Sequence, residues 1–231
     1  MPKQRITRRT KRYSPYPKKT AMRSVSVAAI PRQMPTLMPQ KYQTKLRYSQ
    51  SFLLNPGITD TAEVRVFSAN GMYDPDITGT GHQPRGFDQI MAMYSHYTVT
   101  KATMTAWFDT QQSSGSIPFM AGIFEDINSG VVTDPEDVME KSRIVSFMAA
   151  RDTTQTKAKF TSYPQSRLGH NNPGNLQLTN LGSSSTNPTE QVYLKPFVFF
   201  PNAASTPAAV TVTIVIDYTA IFSEMKQPTK S

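Results

Sequence analysis

The chain has 231 residues, no cysteine and a net charge of +9, so it can fill one sizeable core but only by packing; disulfides, thiolate zinc sites and a cysteine nucleophile are excluded. The charge is gathered at one end. Residues 1–47 hold thirteen Lys and Arg and no acid, whereas residues 48–231 hold twelve against sixteen Asp and Glu, so a polycation precedes a mildly acidic body and calls for a polyanionic partner.

The opening segment, "MPKQRITRRTKRYSPYPKKTAMR", has too few large apolar side chains to offset the entropy of ordering and is expected to be disordered when free. Pro31, Pro35 and Pro39 then favour extended chain and forbid a continuous helix. Residues 1–44 therefore read as a basic arm with its linker, and residues 45–231 as the body. In the arm, Lys3, Arg5, Arg8, Arg9, Lys11, Arg12, Lys18, Lys19 and Arg23 suit phosphate binding by counterion release, with little sequence readout and steep salt dependence. Tyr13 and Tyr16 add rings that stack on the bases of a single strand. Arg8, Arg9, Lys11 and Arg12, followed by Lys18 and Lys19, also resemble a bipartite nuclear localisation signal, and both uses fit the same residues.

From Lys45 the hydrophobic period becomes two. "KLRYSQSFLL" (45–54) and "TAEVRVFS" (61–68) alternate apolar with polar residues across the turn signal "NPG". Further strands are expected at 97–108, 117–125, 143–150, 156–162, 190–200 and 208–222, making eight. Two segments break the pattern. "GFDQIMAMYSHY" (86–97) places Phe87, Ile90, Met91 and Tyr94 at helical spacing after Asp88 as a cap, and "TDPEDVMEKS" (133–142) offers Asp134 as N-cap with Pro135 at the first helical position. The chain is thus expected to be all-β, a single eight-stranded jelly-roll sandwich with short helices in its connecting loops and a disordered basic N-terminal arm. The most apolar run, Val210 to Ile221, is interrupted by Thr and Asp217, and Val25 to Ile30 is too short and too flanked by Arg for a signal peptide, so no membrane partner is expected.

Between the second and third strands lies "SANGMYDPDITGTGHQPRGFDQ" (68–89), with three acids, four glycines and a histidine. Asp74, Asp76, Thr78 and Gly79 match the first half of an EF-hand calcium loop, but the twelfth position, where a bidentate Glu belongs, is Arg85. Gly79 and Gly81 begin a phosphate-loop pattern that ends at Pro84 with no Lys following. An architectural connection is the better reading, with Asn70-Gly71 and Asp74-Pro75 as turn dipeptides. His82, His96 and His170 lack metal-ligand spacing, there is no G-x-S-x-G elbow, and "QQSSGS" and "LGSSSTN" read as flexible loops. Paired carboxylates occur only as Glu125-Asp126 and the acidic cap. No catalytic residue, metal or cofactor is expected, and the chain is not expected to be an enzyme.

The segment "NGMYDPDITGTGHQPRGFDQIMAMYSHY" (70–97) resembles one common in capsid proteins of circular Rep-encoding single-stranded DNA viruses, the circovirus-like group. The layout of arm, eight strands and two helices is similar to the shell domain of small icosahedral viruses. The resemblance implies a virion protein forming a T=1 shell of sixty copies, its arm turned inward onto genomic single-stranded DNA. It also implies delivery to the host nucleus by an import receptor, and an unidentified host-cell receptor. Sixty copies of residues 1–47 would carry roughly 780 positive charges, the order needed to offset about a kilobase or two of single strand. In such a shell the loop bearing Asp74, Asp76, Gly79, Gly81, His82 and Arg85 would form a subunit contact. Two other readings stand beside this one. A capsid of a small positive-strand RNA virus fits because phosphate contacts do not distinguish the sugars. A cellular jelly-roll module for nucleic acid or histones, like a nucleoplasmin-type chaperone with a basic tail, also fits.

Overall fold

Alternation along the last strand organises the body. In the computed structural model, which describes residues 39–57, 61–110, 118–149, 156–170, 181–201 and 209–227, β9 (Val210–Met225) buries Val210, Val212, Ile214, Ile216, Tyr218, Ala220 and Phe222 on one face. It runs antiparallel between β1 (Lys41–Leu54) and β4 (Tyr94–Thr110), and β7 (Thr156–Ser162) pairs with the far side of β4. The second sheet has β8 (Tyr193–Phe199) paired on one side with β5 (Phe119–Asp126) and on the other with β2 (Glu63–Val64) and β3 (Phe67–Ser68), while β6 (Ile144–Ala149) pairs with the outer side of β5. The orders β1-β9-β4-β7 and β2-β8-β5-β6 are those of a jelly roll, and the two inner faces share one core. Each Val, Ile or Phe fully buried there contributes about 1.5–3 kcal/mol.

Four features differ from the expectation. The second strand, expected as one piece at 61–68, is split into β2 and β3, although their pairs with β8 keep one register. Opposite the gap stands Pro196: its carbonyl accepts from Arg65 N (3.1 Å), but it has no N–H to return the bond. The helix expected over 86–97 stops at Met91, as α1 (Phe87–Met91); Tyr94 already opens β4. Its cap position is taken by Gly86 in the left-handed region (φ 88°), which places Asp88 inside the first turn instead of at the cap. A short helix, α3 (Pro164–Arg167), was not foreseen; it follows β7 directly. Finally, β4 slips register between Val99 and Lys101. The bulge moves the inward set from Tyr97 and Val99 to Ala102, Met104, Ala106 and Phe108, and leaves Lys101 outward.

The other helix, α2 (Pro135–Met139), forms as its sequence requires. Asp134 Oδ1 accepts from Glu136 N (2.9 Å), Pro135 occupies the first turn, and Lys141 pairs with Asp137 at 3.0 Å. Its Val138 packs with Phe124, Phe197, Phe199, Val64 and Ala62 in a second apolar cluster. That cover explains why β8 is buried on both faces over Leu194–Phe199 and reads as a continuous apolar run.

The same cover encloses Lys195, whose side chain is fully buried. Its Nζ donates to Asp126 Oδ2 (3.0 Å) and to the Gly130 carbonyl (2.8 Å) and lies 5.5 Å from the centre of the Phe124 ring. Burial pulls this ammonium below its ordinary value, and the bond to Asp126 only partly offsets the pull. Removing one member of such a pair strands the other. Lys195→Met is therefore expected to destabilise the body by about 3–5 kcal/mol in urea unfolding, and Lys195→Met with Asp126→Asn to recover part of that loss.

Candidate functional site

The loop between β3 and α1 is fixed by one ion pair. Arg65, in the gap between β2 and β3, donates through Nη2 to Asp76 Oδ2 at 2.6 Å, and the Asp76 side chain is fully buried. The same nitrogen lies 3.3 Å from both Thr78 Oγ1 and Thr80 Oγ1, and the guanidinium sits 5.2 Å from the centre of the Phe52 ring. Asp76 Oδ1 in turn accepts from Thr78 N (3.2 Å) and Thr78 Oγ1 (2.9 Å). Burial alone would push the Asp76 carboxyl up; the bonds from Arg65 and Thr78 together outweigh it and hold the carboxyl below its ordinary value. Asp74 is displaced upward, by burial first and then by repulsion from Asp76. The two carboxylate oxygens that Asp76 would offer a cation in the calcium-loop pattern are thus bonded to an arginine and a threonine.

Two glycines meet different requirements. Gly79 has φ +72°, the left-handed region, with open space around it. Gly81 is needed for proximity: a Cβ there would lie 2.7 Å from Tyr48 Oη and 2.9 Å from Asp76 Cβ. His82 closes the turn on β1. Its ring is 4.7 Å from that of Tyr48, with Nε2 at 3.0 Å from the Ser49 carbonyl and Nδ1 at 2.8 Å from the Gln83 carbonyl. A neutral imidazole donates to only one of these two acceptors. Arg85 is exposed in the turn ahead of α1. So Asp76, Gly81 and His82 converge on Tyr48, while Asp74 is held from another side.

That other side is Asn187, a residue of the stretch "LGSSSTN" read from sequence as flexible. Its Oδ1 accepts from Tyr73 N and Asp74 N, both at 3.1 Å, and its Nδ2 donates to the Asp74 carbonyl at 2.8 Å. Tyr97 Oη adds a bond from Met72 N at 2.9 Å, and Tyr218 Oη donates to the Ser68 carbonyl at 2.7 Å. Arg65 and Asn187 were missed as members of the site. Arg65 carried one signal, a cation on a strand facing an acid-bearing loop; Asn187 carried none, because its partners, the backbone of Tyr73 and Asp74 and the Tyr97 hydroxyl, are 90 or more residues away in sequence.

At the loop's surface Tyr73 and Ile77 remain exposed. Among the described residues no group of three His, Cys, Asp or Glu is placed to hold a metal ion, and no helix is long and apolar enough to cross a membrane. The arm residues assigned to nucleic acid and nuclear import, Lys3 through Arg23, lie outside the described residues.

No protein-family model and no curated protein matches the chain. Solved structures align with it at low identity. Turnip yellow mosaic virus aligns at 13% identity over 90% of this chain and 93% of that one, with a TM-score of 0.43. The decameric BFDV capsid protein aligns at 11% identity over 80% and 99%, with a TM-score of 0.43. The semi-empty virus-like particle of the giant freshwater prawn Macrobrachium rosenbergii nodavirus aligns at 10% identity over 85% and 100%, with a TM-score of 0.46. At these identities and scores the chain is assigned to no family.

The ion pair makes the loop sensitive to acid. The folded carboxyl of Asp76 titrates below its unfolded value of about 3.9, so its contribution is complete above about pH 4 and is lost as pH falls through the lower, folded value. Asp76→Asn should lower the melting temperature at neutral pH and flatten its decline in acid; an acid limb as steep as that of the parent protein would contradict this. Gly79→Val is expected to cost about 1–2 kcal/mol through backbone strain. Gly81→Val should cost about 1–3 kcal/mol through overlap with Tyr48 and Asp76, read from urea midpoints.

Proposed function

We propose that the chain is the coat protein of a small icosahedral virus: the jelly-roll body self-associates into a closed T=1 shell of sixty copies, and the basic arm packages single-stranded DNA within it. The observation that carries this reading is the joining, in one chain, of a segment with ten cations and no acid, residues 1–40, to a β-sandwich body that begins with β1. An arm of this kind binds any polyphosphate strongly and almost without regard to sequence, which suits a protein that must enclose a whole genome. The resemblance of residues 70–97 to capsid proteins of circular Rep-encoding viruses supports the choice of DNA and of nuclear delivery through Arg8, Arg9, Lys11, Arg12, Lys18 and Lys19.

The loop around Asp76 is the proposed subunit contact. It is rigid through its buried ion pair yet presents Tyr73 and Ile77 to solvent, as a surface intended for a second copy would. Its fixed shape lets identical copies meet with one geometry, as closed symmetry demands.

Expressed full-length protein is expected to give closed particles in negative stain and a sedimentation mass near sixty copies, with nucleic acid inside protected from nuclease. A stable small ring or trimer would instead identify a cellular binding module. Deleting residues 1–40 should sharply reduce the protected nucleic acid while particles still form; undiminished protection would overturn the role of the arm. Sequencing the protected nucleic acid of native particles distinguishes DNA from RNA. Gly79→Val and Gly81→Val should lower particle yield, and full yield from both would refute the contact role of the loop.

A further inference from the structure

The two sheets differ in what covers them. The outer face of the second sheet lies partly under α2, whereas the outer face of the β1-β9-β4-β7 sheet exposes Lys45, Lys101 and Lys159. Register brings these lysines together. Lys45 and Lys101 both stand opposite Thr219, one from each side of β9, and Lys159 stands opposite Thr105 on the neighbouring strand. Along with Arg47, Thr103 and Asp217 they line a shallow trough of about 450 Å³. Arg47 is paired with Asp217 (2.6 Å), so the three lysines supply the trough's uncompensated charge.

The trough continues past Lys101 onto the start of α3. Tyr163 is half exposed there, and Lys101 Nζ lies 5.9 Å from the centre of its ring. The hollow on its other side is lined by Arg143, Arg167 and Ser166. Both arginines depend on one buried carboxylate, Glu125: Arg143 Nε is paired with its Oε2, Arg167 Nε lies 3.6 Å from the same oxygen, and Ser162 Oγ donates to Oε1. Two guanidiniums against one carboxylate leave one positive charge in excess, held in place yet open to solvent. An exposed ring between fixed cations is the arrangement that single-stranded nucleic acid binds, with bases on the ring and phosphates on the cations.

We propose that this face of the body is a second contact for single-stranded nucleic acid, with Tyr163 as the stacking platform and Lys45, Lys101, Lys159, Arg143 and Arg167 on the phosphates. The inference rests on the reading of the chain as a shell around nucleic acid and assigns the body a share of the binding otherwise given to the arm.

Full-length protein is to be photo-cross-linked to halogenated oligothymidylate and, in parallel, to halogenated oligouridylate, and the labelled peptides located by mass spectrometry. Labelling of Tyr163 is expected with both, and stronger labelling by one identifies the preferred sugar. Replacing Lys45, Lys101 and Lys159 together by Ala should reduce the slope of log affinity against log salt by about 2, at roughly 0.7 per phosphate contact on a single strand. Tyr163→Ala should weaken binding roughly 5- to 100-fold, and Tyr163→Trp should restore it. Melting curves matching the parent protein establish that these surface variants fold. Labels confined to residues 1–40 with an unchanged salt slope refute this inference and leave the arm's role standing, and the same pattern is expected if the face docks an acidic protein surface. No label anywhere, with no retained nucleic acid, defeats the packaging function as well.

Discussion

The register of β9 between β1 and β4 is the constraint on which the rest depends. Its inward residues, Val210 to Phe222, fill the core only in the observed alignment, and a slip of one residue would turn all of them to solvent and carry Thr211, Thr213 and Asp217 inward. The same alignment aims the outward side chains. It sets Arg47 against Asp217 and brings Lys45 and Lys101 to either side of Thr219, so the packing of the core and the charge of the outer face are one decision.

Around that sheet, buried charges secure the connections. Asp76 with Arg65 holds the loop after β3, Glu125 with Arg143 and Arg167 ties the end of β5 to the start of β6 and to α3, and Lys195 with Asp126 holds the turn after β5. None of these is a source of large net stability, since desolvation offsets most of the attraction. Their effect is specification. Each buried charge meets its opposite in one arrangement of its loop, and alternative arrangements strand a charge. This suits a body whose irregular segments must have the same shape in every copy.

Much of the architecture was legible in the sequence because alternation is a local signal. "TKAKFTS" gave β7 with its observed ends, the alternation of β9 named its buried set, and Asp134-Pro135 marked the start of α2. What escaped depends on partners distant in sequence. The split of the second strand is caused by Pro196, some 130 residues away, and the short α1 ends because Tyr94 finds its place beside β9. The bulge at Thr100 is visible in hindsight as a change of parity between Val99 and Ala102. The loop at 68–89 was recognisable as architecture from its turn dipeptides, but Arg65 and Asn187, which shape it, were not. The lysines of the open face stand on three separate strands. Their grouping needs the strand order, which periodicity does not contain.

Pro196 leaves a seam in the second sheet. A proline in a central strand forfeits its rung on one side only, and here the missing rung faces Arg65, between the two short pieces that border the sheet. The border lacks one rung opposite Pro196 and its two paired pieces are short, so it parts from β8 at lower cost than β5 does, and the Asp76 loop is attached to this border. Opening of the body is therefore expected to begin along this rim while the long strands flanking β9 remain zipped.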